Sequence, residues 1–341
     1  MIDRRVLRAL GFCALAGALP ARADAVADFY KGKAVTILVS SSAAGGYDTI
    51  ARAVARHMGR HLPGQPAFIV RNMPGAGGIT ATNFLYNNAP RDGTVLGLVQ
   101  NNTPFEPLFA TKEARYEPVK FGWLGSPSSE TAMVLLWHAV PVNSLAELKA
   151  REVKVGVSGA NSTPAFFTRL LNALLGTRMK PINGYPGQTE VLLAMERGEL
   201  DGHPSAFFSS VRSTRPKWLS EKTAKAIVQY GPAKLDELGD VPFAPDLLAN
   251  EEDRLVMRAA VAPLALGRPF LTPPAVPAER AAALRQAFAA TMADPAFLSD
   301  ADRLGLELNA PRTGDELQQL MERTYRSPPR VIDRLRQLNA P

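Results

Sequence analysis

Short β-branched runs alternate along the chain with stretches whose apolar residues recur every four positions. Val35-Thr36-Ile37-Leu38-Val39 reads as a buried strand. It leads into a loop of small residues, Ser40-Ser41-Ser42-Ala43-Ala44-Gly45-Gly46. From Asp48 to Leu62, the residues Ile50, Val54, Met58 and Leu62 fall on one helical face, and Pro63-Gly64 stops the helix. The cycle then repeats. Ala67-Phe68-Ile69-Val70 is a strand, Met73-Pro74-Gly75-Ala76-Gly77-Gly78 a small-residue loop, and Phe84 and Leu85 mark a helix. Asp92-Gly93 turns the chain into a third strand, Val95 to Val99. Strand, helix, strand, helix, strand predicts an α/β unit, a mostly parallel sheet flanked by helices.

A second unit of the same kind begins near Pro127. Met133–Leu136 and Val153–Val157 read as strands, with a short helix from Ser144 to Ala150 between them. The loop Ser158-Gly159-Ala160-Asn161-Ser162-Thr163 precedes an amphipathic helix through Leu174. Ile182 lies in a strand, Gly187–Arg197 forms a helix, and Glu199-Leu200-Asp201-Gly202 enters another strand. Ala224–Tyr230 reads as a strand returning to the first unit, and the C-terminal third is helical, notably Pro277–Met292 and Gly314–Tyr325. The expected division is residues 24–126 with 230–341 as one lobe and 127–229 as the other, joined by more than one crossing.

Composition narrows the class. With 46% apolar and 21% charged residues in 341, the chain is that of a folded globular protein of about two domains. The formal charge is +7, but Arg4, Arg5, Arg8 and Arg22 against Asp3 supply +3 of it at the N-terminus. No basic run with interleaved aromatics remains, which argues against a nucleic-acid partner. Those arginines, the apolar run Ala9 to Leu19 and the triplet Ala21-Arg22-Ala23 form the three parts of a secretion signal, residues 1–23. The expectation is export to the periplasm with cleavage near Ala23. The lone cysteine, Cys13, falls inside that run behind Phe12, so neither lipidation nor a disulfide is expected.

Candidate chemistry sits in three loops, 40–46, 74–78 and 158–163. Small side chains let backbone N–H groups approach a ligand, and a helix N-terminus behind each loop favours an anion. Gly75-Ala76-Gly77 lacks the third glycine of a dinucleotide fingerprint, since Thr80 stands there. His57 and His61, four apart on one helix, are either a metal pair or a solvated face; the solvated face is favoured, and no metal or cofactor is expected. No nucleophile elbow occurs. Asp48 is either a helix cap or a group facing the ligand.

Taken together, the segments Ser41 to Arg52, Asn72-Met73-Pro74-Gly75-Ala76-Gly77-Gly78, Ala89 to Thr94, Gly156 to Thr163, and Tyr185-Pro186-Gly187 through Asp201 resemble the Bug-type solute-binding proteins of tripartite tricarboxylate transporters. The similarity continues through Pro277 to Leu338 and covers nearly all of the chain after the signal. It implies a two-lobed, Venus-flytrap periplasmic-binding-protein fold with a small organic carboxylate between the lobes. It also implies a membrane transporter as partner, a monomer, and no catalysis. In that family, loop N–H groups and ordered water hold the carboxylate. The implied ligand residues are Ala44, Gly45, Tyr47 and Asp48 from the first loop and Gly75, Ala76 and Gly77 from the second. Ser158, Asn161, Ser162 and Thr163 come from the other lobe, with Asp201 and His203 near the cleft. The sequence departs from the family at Ser40-Ser41, Tyr47, His203 and Gln100-Asn101-Asn102-Thr103. The ring of Tyr47 and the amides of Asn101 and Asn102 point toward an aromatic or amide-bearing acid. A secreted small-acid hydrolase and a ligand-presenting sensor are the alternatives.

Overall fold

The structure, a computed structural model, describes residues 21–340 except Ser42, Ala44, Gly45, Ala110, Asn161, Pro186 and Glu307. The expected secretion signal lies outside the described residues apart from Ala21-Arg22-Ala23. That triplet opens helix α1 (Ala21–Tyr30). The chain then forms β1 (Ala34–Val39), α2 (Gly46–Met58), β2 (Ala67–Asn72), α3 (Ile79–Asn87), β3 (Val95–Leu98) and β4 (Gly122–Ser126). On α2, Ile50, Val54 and Met58 are fully buried, as their spacing requires. They pack with Val35, Ile37 and Val39 of β1 into one core. Each such aliphatic side chain contributes about 1.5–3 kcal/mol by leaving water.

The second unit contains β5 (Ala132–Trp137), α4 (Leu145–Ala150), β6 (Val153–Gly156), α5 (Thr163–Leu175), β7 (Met179–Ile182), α6 (Gln188–Glu196), β8 (Gly202–Phe207), α7 (Phe208–Thr214) and β9 (Ala224–Tyr230). Its helix starts are written in the sequence. Ser144 and Ser162 cap α4 and α5, and Gly176 ends α5 at φ 70°, a left-handed conformation that costs glycine nothing. The chain finishes with α8 (Glu251–Leu266), β10 (Phe270–Thr272), α9 (Ala278–Met292), α10 (Pro295–Arg303), β11 (Arg312–Thr313), α11 (Gly314–Tyr325) and α12 (Pro329–Asn339).

Two sheets result, ordered β11-β4-β10-β3-β1-β2 and β7-β6-β8-β5-β9. Four strands run one way in each sheet: β1 to β4 in the first, β6 to β9 in the second. The strands that return late, β10 and β11, and the entering strand β5 are antiparallel to their neighbours. One expectation is corrected. Ala224–Tyr230 does not return to the first unit but forms the edge of the second sheet. Ile227, Val228 and Tyr230 are buried there with Val134 and Leu136.

The chain passes between the sheets at residues 127–131 and returns through α8. Val256, Met257 and Leu264 of α8 join the core of the second unit, whereas Ala262 and Leu266 join that of the first. Helix α12 lies on α5 and α8, with Val331 and Leu335 in the second core. Arg169 of α5 fastens its end, donating to the carbonyls of Leu338 (2.7 Å) and Asn339 (3.0 Å).

Candidate functional site

The carboxyl ends of β1, β2 and β3 are sewn together where three loops leave the first sheet. Met73 N donates to Val39 O (2.8 Å), Ser40 N to Leu98 O (3.0 Å), and Gln100 N to Ser40 Oγ (2.9 Å). The second loop holds a run of left-handed residues, with φ of 141° at Gly75, 46° at Ala76, 62° at Gly77 and 100° at Gly78. Only glycine accepts such angles without strain, so Ala76 is held at a cost of about 1–2 kcal/mol. A Cβ on Gly75 would lie 2.7 Å from Thr80 Oγ1. The backbone of Gly75, Ala76 and Gly77 is exposed, which leaves it free to meet an anion.

Tyr47 and Asp48 occupy the first turn of α2, and both are engaged by the protein. The half-buried Tyr47 hydroxyl donates to Gly267 O (3.3 Å) and accepts from Asn101 N (3.2 Å). Burial pushes its pKa up to about 12, so it stays a neutral hydroxyl. The buried Asp48 carboxylate accepts two bonds from the Arg52 guanidinium (2.9 and 3.0 Å) and one from Asn72 Nδ2 (3.0 Å). Asn72 Nδ2 also donates to Ser41 O (3.0 Å), so it joins both loops. Asp48 therefore fixes the loop geometry, and Asn72, which the sequence reading passed over, is its partner. Ala44 and Gly45 lie outside the described residues.

The opposing wall comes from the second sheet. Ser158, Thr163, Tyr185, Gln188, His203 and Phe207 line a cavity of about 270 Å³ where α5 and α6 begin. Ser162 accepts from Ala165 N as the cap of α5, and its Oγ donates to Gly159 O (2.7 Å). Asn161 lies outside the described residues. Gln188 Oε1 accepts from Phe207 N (2.9 Å). His203 is 2% exposed, and burial lowers its pKa to about 3, so the ring is neutral. Its Nδ1 accepts from Ser205 N (3.0 Å), which places the proton on Nε2. Nε2 is then a fixed, uncharged donor at the cavity.

A larger cavity of about 600 Å³ joins the walls, with Asn101 and Asn102 from the first unit facing Thr163 and Phe207 from the second. Asp201 is not brought to either cavity. Its carboxylate accepts from Lys154 N (2.6 Å), fastening the start of β8 to β6, because β8 pairs beside β6 from Gly202 onward. His57 and His61 are also resolved. His57 of α2 meets Asp300 of α10 (3.0 Å), and His61, in the turn after α2, meets Asp294, the cap of α10 (2.7 Å), so both fasten this face to α10 instead of facing solvent. Among the described residues no group of three or more His, Cys, Asp or Glu is placed to hold a metal, and no helix is long and apolar enough to cross a membrane.

Two α/β units, each built on its own sheet and lining one cavity between Asn101 and Asn102 of the first and Thr163 and Phe207 of the second, fit the two-lobed solute-binding class. Residues 50–336 match the tripartite tricarboxylate transporter family receptor, TctC, and the chain belongs to that family of periplasmic solute receptors. A curated relative is the Agrobacterium vitis UPF0065 protein in the TAR-I ttuE-ttuC' intergenic region. It is 29% identical over 63% of this chain and 61% of its own length, so the match spans under two thirds of that relative. Among solved structures, a TctC solute-binding protein from Polaromonas has TM-score 0.70 at 18% identity, covering 91% of this chain and 98% of that one. MatC from Rhodopseudomonas palustris with bound malate has TM-score 0.59 at 20% identity, covering 91% and 99%. At these identities the likeness to solved structures speaks for the fold.

Proposed function

We propose that this receptor captures a small organic carboxylate between its lobes and delivers it to a tripartite tricarboxylate-type transporter, without chemical conversion. The carrying observation is the placement of the loops. Asn101 and Asn102, on the loop after β3, line one cavity of ligand size with Thr163 and Phe207 of the second unit, and the exposed left-handed backbone at Gly75–Gly77 lies on the neighbouring loop, tied to β1 through Met73. Family membership and the malate bound to MatC support the carboxylate class. The proposed contacts are Ala44, Gly45 and Gly75–Gly77 from one lobe and Ser158, Asn161, Ser162, Thr163 and His203 from the other. Tyr47, Asp48 and Asn101 hold the first wall in shape.

The proposed lobes are residues 24–126 with 230–341, and 127–229. Closure bends the crossing near 125–128 and the return through α8. A contact to both walls in the closed form stabilises it and presents it to the membrane partner. The mature chain begins near Ala23 and acts as a monomer in the periplasm.

A thermal-shift screen of the chain from Asp24 onward tests this reading, using malate, succinate, citrate, benzoate and nicotinate. One acid class is expected to raise Tm in proportion to the logarithm of its concentration. No shift with any of them at millimolar concentration removes the carboxylate assignment.

A further inference from the structure

We infer that Arg268 is a direct, charged anchor for the ligand's carboxylate, an addition to the backbone-and-water mode that the family resemblance implies. The inference rests on the capture reading above. Arg268 follows α8 and reaches the first turn of α2. Its Nη2 lies 3.6 Å from the point where a Cβ on Gly46 would stand, at the first residue of α2. Its own backbone N donates to Ser126 Oγ (2.9 Å) at the first crossing, and the preceding Gly267 O accepts from Tyr47. The backbone at Gly267-Arg268 is thus held where β4, α2 and the loop after β3 meet.

Charge makes the position unusual. Among the described residues the Arg268 side chain has no hydrogen-bond or ion-pair partner, although it is half-buried. The carboxylate in the first turn of α2, Asp48, is taken by Arg52 and Asn72. Glu130, which like Arg268 acts on the surroundings of Tyr47, accepts from Ser209 Oγ (2.7 Å). The guanidinium therefore sits beside the positive end of a 13-residue helix, so two positive potentials add there. A planar anion placed there relieves both. Its two oxygens match the guanidinium fork while backbone N–H groups of the loops complete the shell.

This predicts a ligand whose inner end is an ionised carboxylate, and strong rejection of the matching amide. The experiment is calorimetric titration of wild type, Arg268→Gln and Arg268→Lys with malate, succinate, citrate, benzoate and nicotinate, and with the amide of whichever acid binds. The expected result is a loss of about 10- to 100-fold in affinity for that acid in Arg268→Gln, with Arg268→Lys in between. The preference for acid over amide should narrow by the same factor, and the ligand-free Tm should stay level or rise. If Arg268→Gln binds the acid as wild type does, the inference is overturned while the capture reading stands. Should that variant fold poorly, wild-type affinity in Arg268→Lys overturns it equally, because a lysine cannot reproduce the fork. If wild type binds none of the five acids, the carboxylate reading falls first and the role of Arg268 with it.

Discussion

The two walls of the cleft are built from different materials. The first offers bare left-handed backbone, a helix N-terminus and the guanidinium of Arg268. The second offers side chains, with one buried neutral imidazole among Tyr185, Gln188 and Phe207. On the proposed capture reading, the first wall answers the acid group and the second the shape and hydrogen-bonding of the rest of the ligand. A receptor divided this way recognises an acid group in common and selects among acids on the far side.

The largest expected effect breaks the first wall alone. Gly75→Val places a branched side chain at φ 141° against Thr80, so the loop must move. Affinity for the best acid of the screen should fall at least 100-fold by calorimetry, with only a modest drop in the ligand-free Tm.

Acid titration separates the walls by stability. His203 is neutral when folded, with a pKa near 3, and has an ordinary value near 6.5 when unfolded. The unfolded chain binds the extra proton, so stability is full above pH 6.5 and declines as pH falls toward 3, by on the order of 4 kcal/mol. His203→Gln should flatten that decline in urea melts. Asp300, held by Arg303, His57 and Arg56, has its pKa lowered well below the carboxylate range. Its contribution is present above about pH 4 and is lost below that. Asp300→Asn should change only this lower limb.

Asn72→Ala should weaken the seam between the first two loops, costing about 1–2 kcal/mol in urea melts and a smaller factor in affinity. The smallest effect is expected from Ala76→Gly. Relief of the left-handed alanine should raise stability by no more than about 1 kcal/mol, and unchanged acid affinity would show that the residue acts through its backbone.

Much of the first wall was legible because glycine and alanine runs between a strand and a helix have few other uses. Loop 73–78 and the helix it precedes stand where the pattern put them. Loop 158–163 likewise precedes α5. His203 was legible only as an oddity after Asp201, and its neutral state depends on burial that no local pattern reports. Asp201 itself was misplaced, because its strand register against β6 is a tertiary fact. Arg268 carries no local signal. It is one of 39 basic residues, followed by a proline after a helix.

Periodicity and small-residue loops determined the strands, helices and first-wall backbone, since these follow from local sterics and the side-chain period of each element. Which sheet β9 joins, which carboxylate answers which arginine, and which arginine is left unanswered were decided only in three dimensions. Pairing and desolvation depend on residues as far apart as Gly46 and Arg268, and their proximity exists only once both units have packed around α8.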